Sequence, residues 1–264
     1  MQAKSFHSKY GKWAIVAGAS EGLGKAFAMS LASRGLNLIL IARRTAILQE
    51  VSKDISSKFN VEIKLITLDL QDTLQVIETL KSLNLDIGLL VYNAAYAPVG
   101  DFVEMSTEKL SQLSKVNMHT PLLVTNYFIN RLLQANRSGG IILMSSMAGN
   151  QGTPKLAAYA ASKAFNTTLA EGLWYELKES NIDILSCVAG AIRTPGYYKT
   201  YSKTKEASGA LEPAVVAEKA IKSLGNMPVT VPGRINQIGS FIMTRILPKR
   251  MAIKLMASNT KDLI

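Results

Sequence analysis

The chain has 264 residues, nearly half of them apolar, and a formal net charge of +11. That length allows one large α/β domain or two small ones, and the apolar share excludes global disorder. One cysteine, Cys187, excludes an intrachain disulfide framework; no apolar run approaches the roughly 20 residues that span a bilayer, and residues 1–13 lack the apolar core of a secretory signal, so a soluble cytoplasmic protein is expected.

The positive charge points either to plain solubility or to an anionic partner: a phosphorylated cofactor, an acyl thioester carrier, a membrane surface or nucleic acid. Nucleic acid is disfavoured, because no strip interleaves basic and aromatic residues in the way that stacks bases. No metal site is read from the sequence.

Trp13–Ala17 is a short apolar run suited to a buried strand. Gly18-Ala19-Ser20-Glu21-Gly22-Leu23-Gly24 follows, and Leu23, Phe27 and Leu31 then recur every fourth residue up to Gly35. Strand, glycine turn, helix is the setting in which glycines let a pyrophosphate approach a helix N-terminus. The spacing is Gly-x-x-x-Gly-x-Gly, not the commoner Gly-x-Gly-x-x-Gly.

Residues 37–42 form the second predicted strand. An NAD-binding fold places an acid after it for the ribose hydroxyls. Here Arg43 and Arg44 stand at that place, and two guanidiniums suit a 2′-phosphate. NADP(H) is therefore expected over NAD(H), which stays possible. Glu21 opposes this, since an inward carboxylate would repel the phosphate.

A helix is expected over 45–58 and a third strand over 61–68. Asp69, followed by Leu70, either accepts from an adenine amino group or caps the helix near Asp72. The fourth strand, 87–92, ends in Asn93-Ala94-Ala95. A helix over 106–115 begins at a serine cap, and Asn117 interrupts or opens the next, which carries Leu122, Ile129 and Leu133. A turn at 138–140 leads into the fifth strand, 141–144.

Within residues 145–163, Tyr159 and Lys163 stand four apart in an Ala-rich helical segment spanning about 156–178, hence on one face. A nearby fixed cation favours a phenolate, bringing a proton donor toward working pH. Ser146, thirteen residues before Tyr159, leaves a strand end from which it could share one carbonyl oxygen with that tyrosine. Tyr-x-x-x-Lys also arises by chance on many helices.

The sixth strand, 183–188, precedes Ala189-Gly190-Ala191-Ile192-Arg193-Thr194-Pro195. Residues 196–211 are irregular and read as a substrate lid. Tyr197, Tyr198 and Tyr201 could line an apolar cleft, and Lys199, Lys203 and Lys205 could meet a phosphorylated carrier. The alternative for each is an exposed loop. A helix opening at Pro213, a short strand at 229–231 and a basic, apolar C-terminal extension, 236–264, complete the chain. That extension could cover the pocket, pair subunits, lie on a membrane surface or pack on its own domain.

This alternation predicts an α/β fold: one domain, 1–264, a Rossmann-type doubly wound parallel sheet of about seven strands with helices on both faces. Gly18 to Gly24, Arg43, Asp69, Asn93, Ser146 and Gly190 then all fall at strand carboxyl ends, where ligands bind in such sheets.

On these residues the chain resembles the short-chain dehydrogenase/reductase family over nearly its full length, and bacterial-type members in particular. Gly18, Gly22 and Gly24 match the glycine turn, Asp69 the adenine-contacting acid, Asn93-Ala94 the strand-four motif, Arg43 the NADP-preferring position, and Asn117, Ser146, Tyr159 and Lys163 the catalytic tetrad. Three departures stand out: Ala17 for threonine, Ala95 for glycine, and Ala189 for proline, which would loosen the entry to the lid.

The resemblance implies carbonyl reduction, or the reverse alcohol oxidation. Tyr159 would donate the proton and Ser146 bond the carbonyl oxygen. Lys163 would favour the tyrosinate and hold the nicotinamide ribose, and Asn117 would hold a water. Ser20, Glu21, Leu23, Leu70, Gly190, Ile192 and Thr194 would join the cofactor site, Thr194 with the Ile192 backbone bonding the carboxamide. A homodimer or homotetramer is implied, acting on an apolar or 3-oxoacyl-type carbonyl compound. The alternative from another class is a dinucleotide-binding regulator or scaffold without turnover.

Overall fold

The computed structural model describes residues 3–200 and 206–261. Seven strands among them form one parallel sheet in the order β3-β2-β1-β4-β5-β6-β7. These are β1 Trp13–Ala17, β2 Asn37–Ala42, β3 Ile63–Thr67, β4 Ile87–Tyr92, β5 Gly139–Ser146, β6 Ile182–Ala189 and β7 Val229–Thr230. The helices are α1 Ala3–Tyr10, α2 Gly22–Ala32, α3 Thr45–Ser56, α4 Thr73–Ser82, α5 Thr107–Ser114, α6 Thr120–Gln134, α7 Ala157–Glu176, α8 Pro195–Thr200, α9 Pro213–Ser223, α10 Arg234–Phe241 and α11 Lys249–Thr260.

The inner strands read as unbroken apolar runs because both sheet faces are covered. Alternate residues feed two cores: Val16 and Leu40 pack with Phe27, Leu31 and Ile221 on one face, while Ile15 and Ile39 pack with Phe128, Leu143 and Ile184 on the other. β2 and β4 flank β1 on opposite sides. Connections depart from that point in opposite directions, opening a crevice beyond the strands' carboxyl ends.

Several elements depart from the sequence reading. α1 adds to the predicted elements; its Phe6 and Tyr10 are buried at spacing four and Tyr10 packs against Gly88 and Gly140, closing the end of the sheet opposite the crevice. β3 is shorter than 61–68 because it is an edge strand that pairs with β2 alone. β6 runs on through Ala189, opposite Ser146. α8 occupies the start of the stretch read as irregular.

Candidate active site

β1 ends at the glycine turn, whose backbone is held rather than free. Gly18 and Ala19 N–H groups donate to the Ile41 carbonyl at 2.8 and 3.2 Å. Asn93 Nδ2 donates to the Gly18 carbonyl at 2.9 Å. Gly18 has φ +84° and lies so close to β4 that a Cβ would sit 2.7 Å from the Ala94 backbone. At Gly24 a Cβ would stand 1.9 Å from the Gly18 carbonyl oxygen, so this glycine serves helix–strand contact. Ala17, lacking a hydroxyl, is joined to the β4 end by its carbonyl, which accepts from Asn93 and Ala94 N–H at 3.0 and 2.9 Å.

This turn opens on a cavity of about 510 Å³, lined by Gly18, Ser20, Glu21, Gly22, Leu23, Arg43, Arg44, Asp69, Leu70, Asn93, Ala94 and Thr194. Gly24, Tyr159, Lys163, Gly190 and Ile192 do not line it. Gly190 is instead packed on Asn236, whose side chain leaves 2.8 Å for a Cβ. Ala42, Leu68 and Ala95 also line the cavity, as do Tyr96, Gln112, Val116 and Gly196, to which sequence reasoning assigned no site role. Only the folding of α5 and of the β4 loop brings Gln112 and Tyr96 there. The N-cap Glu21 makes no side-chain hydrogen bond to the first turn of α2, leaving the N–H groups that suit a pyrophosphate. These residues fit a dinucleotide.

The charges on the far wall sort themselves. Arg44 Nη2 reaches Glu21 Oε2 at 3.0 Å and donates to Ser20 Oγ at 3.0 Å. Glu21 is thus neutralised by Arg44, and Arg43, exposed on the cavity, has no carboxylate partner among the described residues. Asp69 does not cap α4: Asp72 does, accepting from Gln75 N–H at 3.1 Å. Asp69 accepts from the Gln71 N–H and side-chain amide at 3.0 and 3.1 Å, which holds its carboxylate on the cavity wall.

Beside the cavity, Ser146 closes β5. Its Oγ accepts from Ala148 N–H at 3.2 Å, capping a single 3₁₀ turn, Met147–Asn150. Tyr159 lies half-buried in the first turn of α7. Lys163 is 3% exposed, its Nζ 5.6 Å from the Tyr159 ring centre and donating to the Met144 carbonyl at 2.9 Å. Burial among apolar neighbours pushes this ammonium down to about 8. Ser145 Oγ donates to the Lys163 carbonyl at 2.7 Å and accepts from Thr167 Oγ1 at 2.7 Å, locking α7 to β5.

Asn117 is fully buried in a π-turn, Lys115–His119, between α5 and α6. Its side chain is fully engaged. Oδ1 accepts from Tyr96 N–H at 2.8 Å. Nδ2 donates to the Tyr96 carbonyl at 2.9 Å and to Ser162 Oγ at 3.0 Å. Ser162 in turn donates to the Tyr159 carbonyl at 2.7 Å. The amide therefore clamps the β4 loop to α7.

The π-turn has a local cause. Thr120 N–H donates five residues back, to Lys115, and Pro121 has no N–H for either Val116 or Asn117. The Val116 carbonyl accepts from the Tyr92 hydroxyl at 2.8 Å instead.

The segment after β6 is tied down despite Ala189. Leu211 N–H donates to Ala191 and Arg193 N–H to Leu211, at 3.0 and 2.9 Å. Arg193 pairs with Glu206 and, at 3.2 Å, with Glu212. Thr194 Oγ1 accepts from Tyr197 N–H at 3.2 Å. Tyr197 is 9% exposed and its hydroxyl accepts from Ala207 N–H at 2.8 Å, so it packs within its own segment rather than standing open as a cleft wall. Tyr198 and Lys199 are exposed; Tyr201, Lys203 and Lys205 lie outside the described residues. The C-terminal helices pack inward on the stretch after Ser146: Asn150 Nδ2 donates to Ser240 Oγ at 2.9 Å, and Gly152 faces Ile253.

The family model described as short chain dehydrogenase matches residues 12–205. The 7beta-hydroxysteroid dehydrogenase of Clostridium sardiniense is 33% identical, over 88% of this chain and 90% of its own. The inactive hydroxysteroid dehydrogenase-like protein 1 of Homo sapiens is 34% identical, over 82% of this chain and 67% of its own. Among solved structures, one from work on 7beta-hydroxysteroid dehydrogenase stereoselectivity superposes with a TM-score of 0.88 at 25% identity, covering 96% of this chain and 99% of the other. With its glycine-turned crevice and seven-stranded sheet, the chain belongs to the short-chain dehydrogenase family of NAD(P)-dependent oxidoreductases.

Proposed function

We propose that the protein is an NADPH-dependent reductase of a bulky apolar ketone, of the polycyclic or 3-oxoacyl kind, running the reverse oxidation with the same groups. The observation that carries this is the joining of Tyr159 and Lys163 to Asn117 through Ser162, with Ser146 at the carboxyl end of β5. The likeness to 7beta-hydroxysteroid dehydrogenase supports the bulky apolar substrate.

When bound, the nicotinamide nucleotide supplies or accepts the hydride. Arg43 holds its 2′-phosphate and the first turn of α2 its pyrophosphate. Tyr159 donates the proton to the carbonyl oxygen, and Ser146 stabilises the developing charge there. Lys163, protonated at neutral pH, lowers the cost of the tyrosinate. Asn117 positions the Tyr159 turn through Ser162 rather than contacting the reacting atoms with its amide, which is already engaged. The described residues 196–200 and 206–211 would flank the substrate. The deciding experiment is a panel of steroid ketones, smaller ketones and 3-oxoacyl thioesters read by NADPH consumption with product identification. No turnover on any of them would leave the scaffold reading, which the inactive human relative favours.

Lys163 sets a pH limit. Its ammonium is retained below about 8 and lost above, so kcat/KM for reduction should fall with a limb centred near pH 8. The stability linkage has the opposite sign. Between about 8 and its ordinary value of 10.5, the unfolded chain binds the proton that the folded chain has released. This group's contribution to stability therefore rises with pH. A fall in rate without a fall in melting temperature distinguishes neutralised lysine from unfolding, and Lys163→Met should lose the limb along with most of the activity.

Glu21→Gln should tighten NADPH binding a few-fold and leave NADH within about twofold. The change removes a negative charge from the cavity wall and releases Arg44. The effect is modest because the pair is largely exposed, where ion pairs are worth about 1 kcal/mol or less. Titration of intrinsic fluorescence with each nucleotide measures both.

A further inference from the structure

The C-terminal elements α10, the π-turn Ile242–Ile246 and α11 bury few side chains: Asn236 on the first, none on the second, Ala252 and Thr260 on the third. Ile235, Ile238, Ile242 and Ile246 are instead between 37% and 62% exposed. Their spacing of three and four places them in one stripe. Met251 and Leu255, at spacing four on α11, are 55% and 48% exposed.

The charge around this stripe has one sign. Positions 219–261 hold eight lysines and arginines and no aspartate or glutamate. Several cations elsewhere find carboxylates, as Arg34 finds Glu218 and Lys25 finds Asp54, and within the stretch Lys222 finds Glu218. Arg245, Lys249, Arg250 and Lys254 have no such partner among the described residues. A second cavity, of about 370 Å³, sets Lys219 and Arg245 at one mouth beside Phe241, between α9, β7 and α10.

We propose that this face docks on an anionic phospholipid surface, with the isoleucine stripe entering the headgroup boundary and the cations meeting lipid phosphates. An apolar stripe flanked by lysine and arginine is the composition of helices that lie in a bilayer interface, and juxtaposed cations are each attracted to an acidic leaflet. Charge complementarity selects this occupant over a second copy of the chain. A two-fold pairing would set the same uncompensated cations against one another. Among the described residues no helix is long and apolar enough to cross a membrane, so the attachment is peripheral. It does not depend on the substrate assigned above.

The test is flotation of the full chain with vesicles of phosphatidylcholine alone, or with about a third phosphatidylglycerol, at low and high salt. The expected result is binding to the anionic vesicles only, released by salt. It should weaken at least about tenfold in Arg245→Glu/Arg250→Glu and in Ile238→Ser/Ile242→Ser. Both variants alter exposed positions, and unchanged melting temperatures and turnover of a water-soluble ketone confirm that they fold. Absence of flotation with anionic vesicles, equal flotation with neutral ones, or unaltered binding by both variants would overturn the proposal. So would a smaller assembly for Ile238→Ser/Ile242→Ser by light scattering without any vesicle binding, which would assign the face to self-association.

Discussion

Tyr159→Phe should lower the rate of carbonyl reduction by about 10²–10⁴-fold, the usual worth of a positioned general acid. NADPH binding should stay within about twofold. The substitution removes one hydroxyl and leaves the ring that Lys163 approaches. The turn of α7 carrying it is held through backbone groups: Ser162 donates to the Tyr159 carbonyl, and Asn117 donates to Ser162. Neither bond involves the phenol, so the helix has no reason to move. Stopped-flow reduction measures the chemical step and fluorescence titration the nucleotide affinity. A rate within a few-fold of the parent would mean that the proton comes from another group. A large loss of both rate and affinity would instead mark Tyr159 as a structural residue of the cofactor site.

Arg43→Asp should reverse cofactor preference, weakening NADPH by about two to four orders of magnitude and NADH by less than about fivefold. A charge-assisted guanidinium–phosphate interaction is lost and a repulsive carboxylate replaces it, each effect being worth roughly 1.5–3 kcal/mol. The aspartate would also stand where NAD-binding folds carry the acid that accepts from the ribose hydroxyls. Arg44 cannot replace Arg43 without leaving Glu21, which it meets at 3.0 Å. The double variant Glu21→Gln/Arg43→Asp should therefore recover part of the NADPH affinity. Comparison of kcat/KM with the two nucleotides reads the effect, and an unchanged ratio would place the phosphate on a different cation.

At two of the departures from the family pattern other contacts hold the backbone. Ala17 lacks a hydroxyl, yet its carbonyl accepts from both Asn93 and Ala94. The register between β1 and β4 is kept by backbone alone. Ala189 lacks proline's rigidity, yet it extends the β5–β6 ladder by one pair. The segment that follows is fixed by Arg193 to Glu206 and Glu212. Neither change reaches the groups proposed to perform the chemistry.

Local pattern in the sequence was enough to determine the alternation of strands and helices, the glycine turn between β1 and α2, and the Tyr159–Lys163 face. Each depends on neighbours within a few positions: an apolar run, a fourfold recurrence, a glycine where φ must be positive. From those alone a doubly wound parallel sheet follows, with the candidate residues at its carboxyl edge. The packed chain alone decided how those residues divide the work. Arg43 and Arg44 are adjacent and chemically identical, and only the approach of Glu21 from the glycine turn separates a counter-ion from a free cation. Tyr96 and Ser162, 21 and 45 positions away, engage the Asn117 amide. Tyr197 read as a cleft wall until Ala207 met its hydroxyl. Gly190 finds Asn236 packed against it. In each case a polar group's partner, or a glycine's neighbour, comes from a distant element. Hydrogen bonding and close packing are satisfied by what is near in space, and a linear reading carries spacing but not proximity.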